Sequence, residues 1–147
     1  MATQTPAQTA PTTKPLSRPA TWLITLATAT VVNLLIWLLT DPLAGHALVA
    51  NQGGTEMTVT VPWVVAGSLV PGAIGLGIAA FLRRFGKGRM IWLVVSILAL
   101  LLSLSSPIAG GTTTATVLVL SSMHVVAGIA VIAGGLALVR KSDVRNA

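Results

Sequence analysis

His124 is the one ionisable side chain inside any long apolar run of this sequence, so any chemistry within those runs starts there. Asn33, Ser68 and Ser103 are polar residues in the other three runs. Their spacing gives all four a common level: Asn33 follows Arg18 by 15 residues, Ser68 precedes Arg83 by 15, Ser103 follows Arg89 by 14 and His124 precedes Arg140 by 16. At about 1.5 Å per helical residue, each stands roughly 21 to 24 Å from the cation that closes its own run. Asn and His are costly at such depth in lipid and turn toward the interior of a helix bundle, where they pair. Two uses fit this level. One is a polar pocket or relay; the other is an interhelical hydrogen-bond clasp, the commoner use of Asn and His in membranes. Equal depth also permits a direct hydrogen bond between Asn33 and His124.

No catalytic constellation gathers around these residues. Ser121 and Ser122 lie near His124, but a Ser-His dyad also needs an orienting acid and an oxyanion hole. The carboxylates are Asp41, Glu56 and Asp143, all outside the runs, which leaves almost nothing for paired acid/base work. Cysteine is absent, removing disulfides, thiol redox chemistry and thiolate metal sites together. Haem needs axial ligands, and the second histidine, His46, lies in a connection, so ligation is open only across a dimer. A metal site meets the same shortage of ligands. Gly86-Lys87-Gly88 lacks the spacing and the preceding strand of a phosphate loop. The expectation is a protein with no catalytic, cofactor-binding or metal-ligating residues, and not an enzyme.

Composition says what kind of scaffold holds the polar level. Of 147 residues, 54% are hydrophobic and 8% are charged, whereas a soluble domain carries about 25% charged residues. The chain lacks the polar surface to cover a water-facing globule and belongs in lipid. Its formal charge of +6 comes from cations at the ends of apolar runs rather than along one face with interleaved aromatics, which excludes a nucleic-acid footprint.

Residues 1–19 carry Pro6, Pro11, Pro15 and Pro19 among Thr, Gln and Ala, the composition of a disordered tail. Four transmembrane helices follow, over about 20–40, 62–82, 90–106 and 114–139; a span needs about 20 apolar residues. The first run exceeds the roughly 7 to 15 residues of a signal-peptide core, so it reads as an anchor. Pro62 suits a first helical turn, Pro71 predicts a kink near Gly67, and Pro107 with Gly110-Gly111 predicts the end of the third helix. In the loop 41–61, Ala47-Leu48-Val49-Ala50, Asn51-Gln52-Gly53-Gly54 and Met57 to Val61 have the layout of strand, turn and strand. Gly72, Gly75, Gly77 and the Ala130-x-x-x-Gly134 pattern are small surfaces for close helix contact, with a partner in the same chain or in a second copy.

Topology follows from the cations. Lys14 and Arg18 precede the first helix, Arg83, Arg84, Lys87 and Arg89 join the second and third, and Arg140, Lys141 and Arg145 follow the fourth. All nine fall on one side, as Lys and Arg do on the cytoplasmic side. Both termini, including a tail at 141–147, are therefore expected in the cytoplasm and the 41–61 loop outside. Trp22 and Trp92 at the inner ends, with Trp37 and Trp63 at the outer ends, read as aromatic belts. Arg83, Arg84, Lys87 and Arg89 set orientation and also suit anionic phospholipid headgroups, at about 1 kcal/mol per basic residue.

These features resemble a family of small, uncharacterised four-helix membrane proteins of actinobacteria, classed as a domain of unknown function. The resemblance rests on Asn33, the Thr60-Val61-Pro62-Trp63 approach to the second helix with Ala66-Gly67-Ser68, and Arg84-Phe85 with Arg89 and Ile91-Trp92. It extends to Thr114-Ala115-Thr116 and Met123-His124-Val125-Val126-Ala127. It implies a four-helix plasma-membrane protein over about residues 20–140 and supplies no activity or ligand. The expected fold is an all-α membrane protein, a four-transmembrane-helix bundle with a small extracytoplasmic β-hairpin. The expected role is a non-enzymatic structural or interaction component of a bacterial envelope. Its partners are lipid and another membrane protein or a second copy. The alternative is a small transporter or channel component that uses the layer around Asn33 and His124.

Overall fold

The computed structural model describes residues 16–140. Its elements are α1 (Arg18–Thr40), β1 (Val49–Gln52), β2 (Thr55–Thr58), α2 (Val61–Leu82), α3 (Gly88–Ser103), α4 (Ser105–Gly110) and α5 (Thr114–Val139). Four stretches are long and apolar enough to cross a membrane: α1, α2, α3 together with α4, and α5. Of the tail expected over 1–19, residues 1–15 lie outside the described residues, as does the tail at 141–147. Arg18 and Pro19 belong to α1 instead. The Ser17 hydroxyl accepts from the Ala20 N–H at 3.4 Å, and a proline in the first turn gives up only an N–H that had no helical partner.

The third span corrects the expected stop at Pro107. The break falls at Leu104, and Pro107 sits in the first turn of α4, buried. Having no N–H, it cannot bond the carbonyl of Ser103 four residues back, so the ladder of α3 stops there and a new turn begins.

The hairpin is displaced by about two residues from the expected strands. Val49 pairs with Thr58 and Gln52 with Thr55, and the turn is Gly53-Gly54, with φ of 60° and 88°. Two positive φ values in a two-residue turn match the twist of an antiparallel ribbon, and glycine takes them without strain. An isolated hairpin is marginal, and this one is tied down at several points. Trp37 Nε1 donates to the Val59 carbonyl at 2.8 Å, and Leu48 N–H donates to Asp41 Oδ2 at 3.0 Å. Thr112 reaches the Val49 carbonyl with both its N–H and its hydroxyl, so the α4–α5 connection lies along the free edge of β1.

The helices bury small and polar residues and expose large apolar ones. α1 buries Thr21, Thr25, Ala29 and Asn33, and α2 buries Val64, Ser68, Gly72 and Leu76. α3 buries Gly88, Trp92 and Ser96. Each stripe recurs every four residues, one face of a helix, and small residues along it let backbones approach. Leu23, Leu39, Ile74, Leu101 and Leu102 face outward. α5 packs against all four other helices. Gly134 meets Thr25 of α1, Gly135 meets the Trp92 ring and Gly128 meets Leu100 of α3. The Ala130-x-x-x-Gly134 surface therefore serves a helix of the same chain.

Trp92, expected in an aromatic belt, packs inside the bundle. It is 2% exposed, and its Nε1 donates to the Ile132 carbonyl of α5 at 3.1 Å. The backbone surface at Gly135 and the Ile132 carbonyl provide a slot and an acceptor that outweigh the interfacial preference of tryptophan. With Leu76, Ala79, Leu138 and Val139 it forms an apolar cluster toward the end of the bundle remote from the hairpin. A second cluster, Val64, Leu120 and Met123, lies beneath the hairpin.

Candidate functional site: a polar level in a cleft between α2 and α3

Between the two apolar clusters, Asn33, Ser68, Ser103 and His124 all line one cleft of about 350 Å³ formed by α2, α3 and α5. The common depth counted from the cations thus corresponds to a shared space. The Asn33–His124 bond that equal depth permits is not formed. Asn33 Nδ2 donates instead to Ser68 Oγ at 3.0 Å, across the α1–α2 contact. The Ser68 hydroxyl donates its single proton to the Val64 carbonyl at 2.8 Å, so it can only accept from Asn33. That fixes which end of the amide faces Ser68. Asn33 is 5% exposed, and its Oδ1 is buried with no hydrogen-bond partner among the described residues.

His124 turns back onto its own helix, with Nδ1 2.7 Å from the Leu120 carbonyl. A carbonyl oxygen cannot donate, so Nδ1 carries the proton of this bond. Ser103 and Ser96 donate to the carbonyls of Leu100 and Leu93, at 2.7 and 3.2 Å. Such back-bonding to the preceding turn is how hydroxyl side chains satisfy themselves inside helices. The hydroxyl protons of Ser68, Ser96 and Ser103 are therefore spent.

Pro71 lies inside α2 and on the cleft wall beside Gly67, and with no N–H it leaves the Gly67 carbonyl without its usual donor four residues on. Gly67 and Pro71 also line a second cavity, of about 460 Å³, beneath the hairpin and against α4. Val59, Trp63, Leu120 and His124 border both spaces, so the cleft continues into a vestibule under the hairpin, with His124 at the junction. At the other end the cleft stops against Trp92 and Ile78.

The basic residues are elsewhere. Arg83, Arg84, Lys87 and Arg89 occupy the α2–α3 turn and the start of α3, with Arg84, Lys87 and Arg89 exposed. The Arg84 guanidinium lies 5.1 Å from the Phe81 ring centroid, a cation–π distance, and Phe81 packs edge-on to Phe85 at 5.5 Å. Gly88 closes the turn tightly, since a Cβ there meets the Leu82 carbonyl. Among the described residues, no three His, Cys, Asp or Glu side chains gather where they could share a metal ion.

Two contributors escaped the sequence reading. Ser96 and Gly67 line the cleft as well; the spacing of Gly88, Trp92 and Ser96 at intervals of four was the available signal for the first, and Pro71 four residues on for the second.

Comparison with known proteins places the chain without assigning it a role. No curated protein and no solved structure matches it. A family described as of unknown function, DUF6069, matches residues 13–141. That match covers the whole bundle, hairpin and cleft, and the protein belongs to this family.

Proposed function

We propose that the protein is a multi-pass component of a bacterial plasma membrane, actinobacterial by its resemblance, that works by binding rather than by catalysis. The observation that carries this reading is the inverted distribution of residues: Thr, Ser, Gly and Asn inside, Leu and Ile outside, on four helices of spanning length. Such an exterior has no favourable contact with water and a full one with lipid chains. Arg18, the four cations from Arg83 to Arg89, and Arg140 close the helices at the ends remote from the hairpin, which supports cytoplasmic termini by the positive-inside rule. The same cations suit anionic headgroups.

A transport or channel role is the second reading, favoured by the cleft at the Asn33 and His124 level. It is the weaker one, because the cleft ends against Trp92, which packs with Leu76 and Ala79 in an apolar cluster. The test is membrane fractionation followed by mild-detergent co-purification. Retention in the alkaline-carbonate pellet with a reproducible protein partner supports a binding component. Release by carbonate contradicts membrane integration, and turnover of a substrate by the purified chain contradicts the non-enzymatic reading.

A further inference from the structure

We infer that the α2–α3 cleft is a lateral slot for one hydrocarbon chain, the acyl chain of a bilayer lipid, with its ester end toward the hairpin and its methyl end toward Trp92. The inference rests on the membrane reading above and names the occupant of the cleft.

The accessible walls are mostly carbon. Asn33 Nδ2 donates to Ser68, while Ser68, Ser96, Ser103 and His124 Nδ1 bond carbonyls of their own helices. Asn33 Oδ1 is buried, out of an occupant's reach. Polar groups paired within the bundle require no partner from an occupant. No Lys, Arg, Asp or Glu lines the cleft, so a charged group inside it would stand unpaired, which is costly at this depth. What an occupant meets is the surface of Gly67, Ile78, Val95, Ala99, Gly128 and Val131, which an uncharged chain matches by close contact alone.

The dimensions admit one chain. Lining residues recur along one face of α2 from Trp63 to Ile78 and along one face of α3 from Trp92 to Ser103, with α5 as the floor. The α2 wall runs 15 residues, about 22 Å at the helical rise. Spread over that length, the volume of about 350 Å³ gives a mean cross-section of about 16 Å², far below the roughly 80 to 110 Å² of a helix 10–12 Å across. A transmembrane helix of a second copy or of another protein is too thick to lie in it, whereas a single row of carbons meets both walls at about 4 Å. The slot is open sideways to the bilayer: Pro71, Ile78, Val95 and Ala99 are exposed, and the floor at Ala127, Gly128 and Val131 is half-buried between them. Buried Trp92 closes one end. At the other, Trp63 is 55% exposed and borders both the cleft and the vestibule, the boundary level at which tryptophan meets lipid headgroups. That sets the direction of the chain.

The test uses the full chain in phosphatidylcholine nanodiscs carrying a trace of the same lipid with a diazirine midway along one acyl chain. Photolabelling mapped residue by residue should mark Ala127, Gly128 and Val131 on the floor, besides Leu101 and Ile129, which face outward. A Cβ added at Gly67 meets nothing within 4 Å, so Gly67→Phe puts a ring into the slot without displacing the bundle. It should abolish labelling of the floor and leave Leu101 and Ile129 labelled. Ala99→Phe, from the opposite wall, should do the same, and it carries the test if Gly67→Phe does not melt cooperatively in the discs. Leu102→Phe, on the outward face of α3, should leave the floor labelled. In the unsubstituted chain, labels confined to Leu101 and Ile129 overturn the inference and leave the membrane reading standing. Floor labelling that both blocking variants leave intact overturns it as well. Loss of label everywhere, Leu101 and Ile129 included, overturns the membrane reading with it.

Discussion

Asn33 and Ser68 are coupled by one hydrogen bond between helices, while His124 spends its proton within its own helix. Hydrogen bonds between membrane helices average about 0.6 kcal/mol and reach about 1.7, so Asn33→Ala and Ser68→Ala should each destabilise by amounts of that order. In a double-mutant cycle read by detergent unfolding, the pair should lose less than the sum of the two. The Asn33 and His124 cycle should be additive. Coupling between Asn33 and His124, with additivity between Asn33 and Ser68, contradicts the geometry. Depth was legible in the sequence because cations mark the helix ends and the rise per residue is fixed. The partner was not, because depth says nothing about the direction a side chain takes around its helix. That direction was encoded in the stripes of four, Thr21-Thr25-Ala29-Asn33 and Val64-Ser68-Gly72-Leu76, which set the Asn33 and Ser68 faces together.

At the scale of elements, glycine decides how closely α5 approaches its neighbours. A Cβ at Gly134 collides with Thr25, whereas one at Gly77 comes no nearer than 3.9 Å to Trp22. Gly134→Val should therefore cost about 1 to 3 kcal/mol through overpacking, and Gly77→Val much less, measured as the shift in unfolding midpoint. Equal effects at the two positions would remove the α1–α5 contact from the account. The hairpin gives a second check. Trp37→Phe removes the bond to the Val59 carbonyl, worth about 0.5 to 1.5 kcal/mol, and should speed hydrogen exchange across residues 48–58 while leaving α2 and α5 protected. Exchange unchanged in the hairpin means that Trp37 does not hold it. Helix α5 was legible in the sequence as a long apolar run between Gly110-Gly111 and Arg140; its cap, the Thr113 hydroxyl accepting from the Thr116 N–H, was not. The break at Leu104 was not legible, since the missing bond belongs to Ser103 and its cause, Pro107, lies four residues downstream. The burial of Trp92 was not legible for a related reason: its slot is made by Gly135, 43 positions away.

For the whole molecule, the charges and the packed bundle are separate systems. Arg83, Arg84, Lys87 and Arg89 lie at a helix turn, and none of them belongs to either apolar cluster or lines the cleft. Replacing all four with Gln should give mixed orientation with little change in thermal stability, because Lys and Arg near span ends direct insertion. A single retained orientation with a lowered melting temperature would make the turn a structural element instead. The central claim is that four spans place the hairpin outside and both the basic turn and the termini in the cytoplasm. Because the chain contains no cysteine, single cysteines can report on it without background. Gln52→Cys should react with a membrane-impermeant maleimide in intact cells, and Gly86→Cys and Arg145→Cys only after permeabilisation. Labelling of Gly86→Cys and Gln52→Cys from the same side would contradict the account.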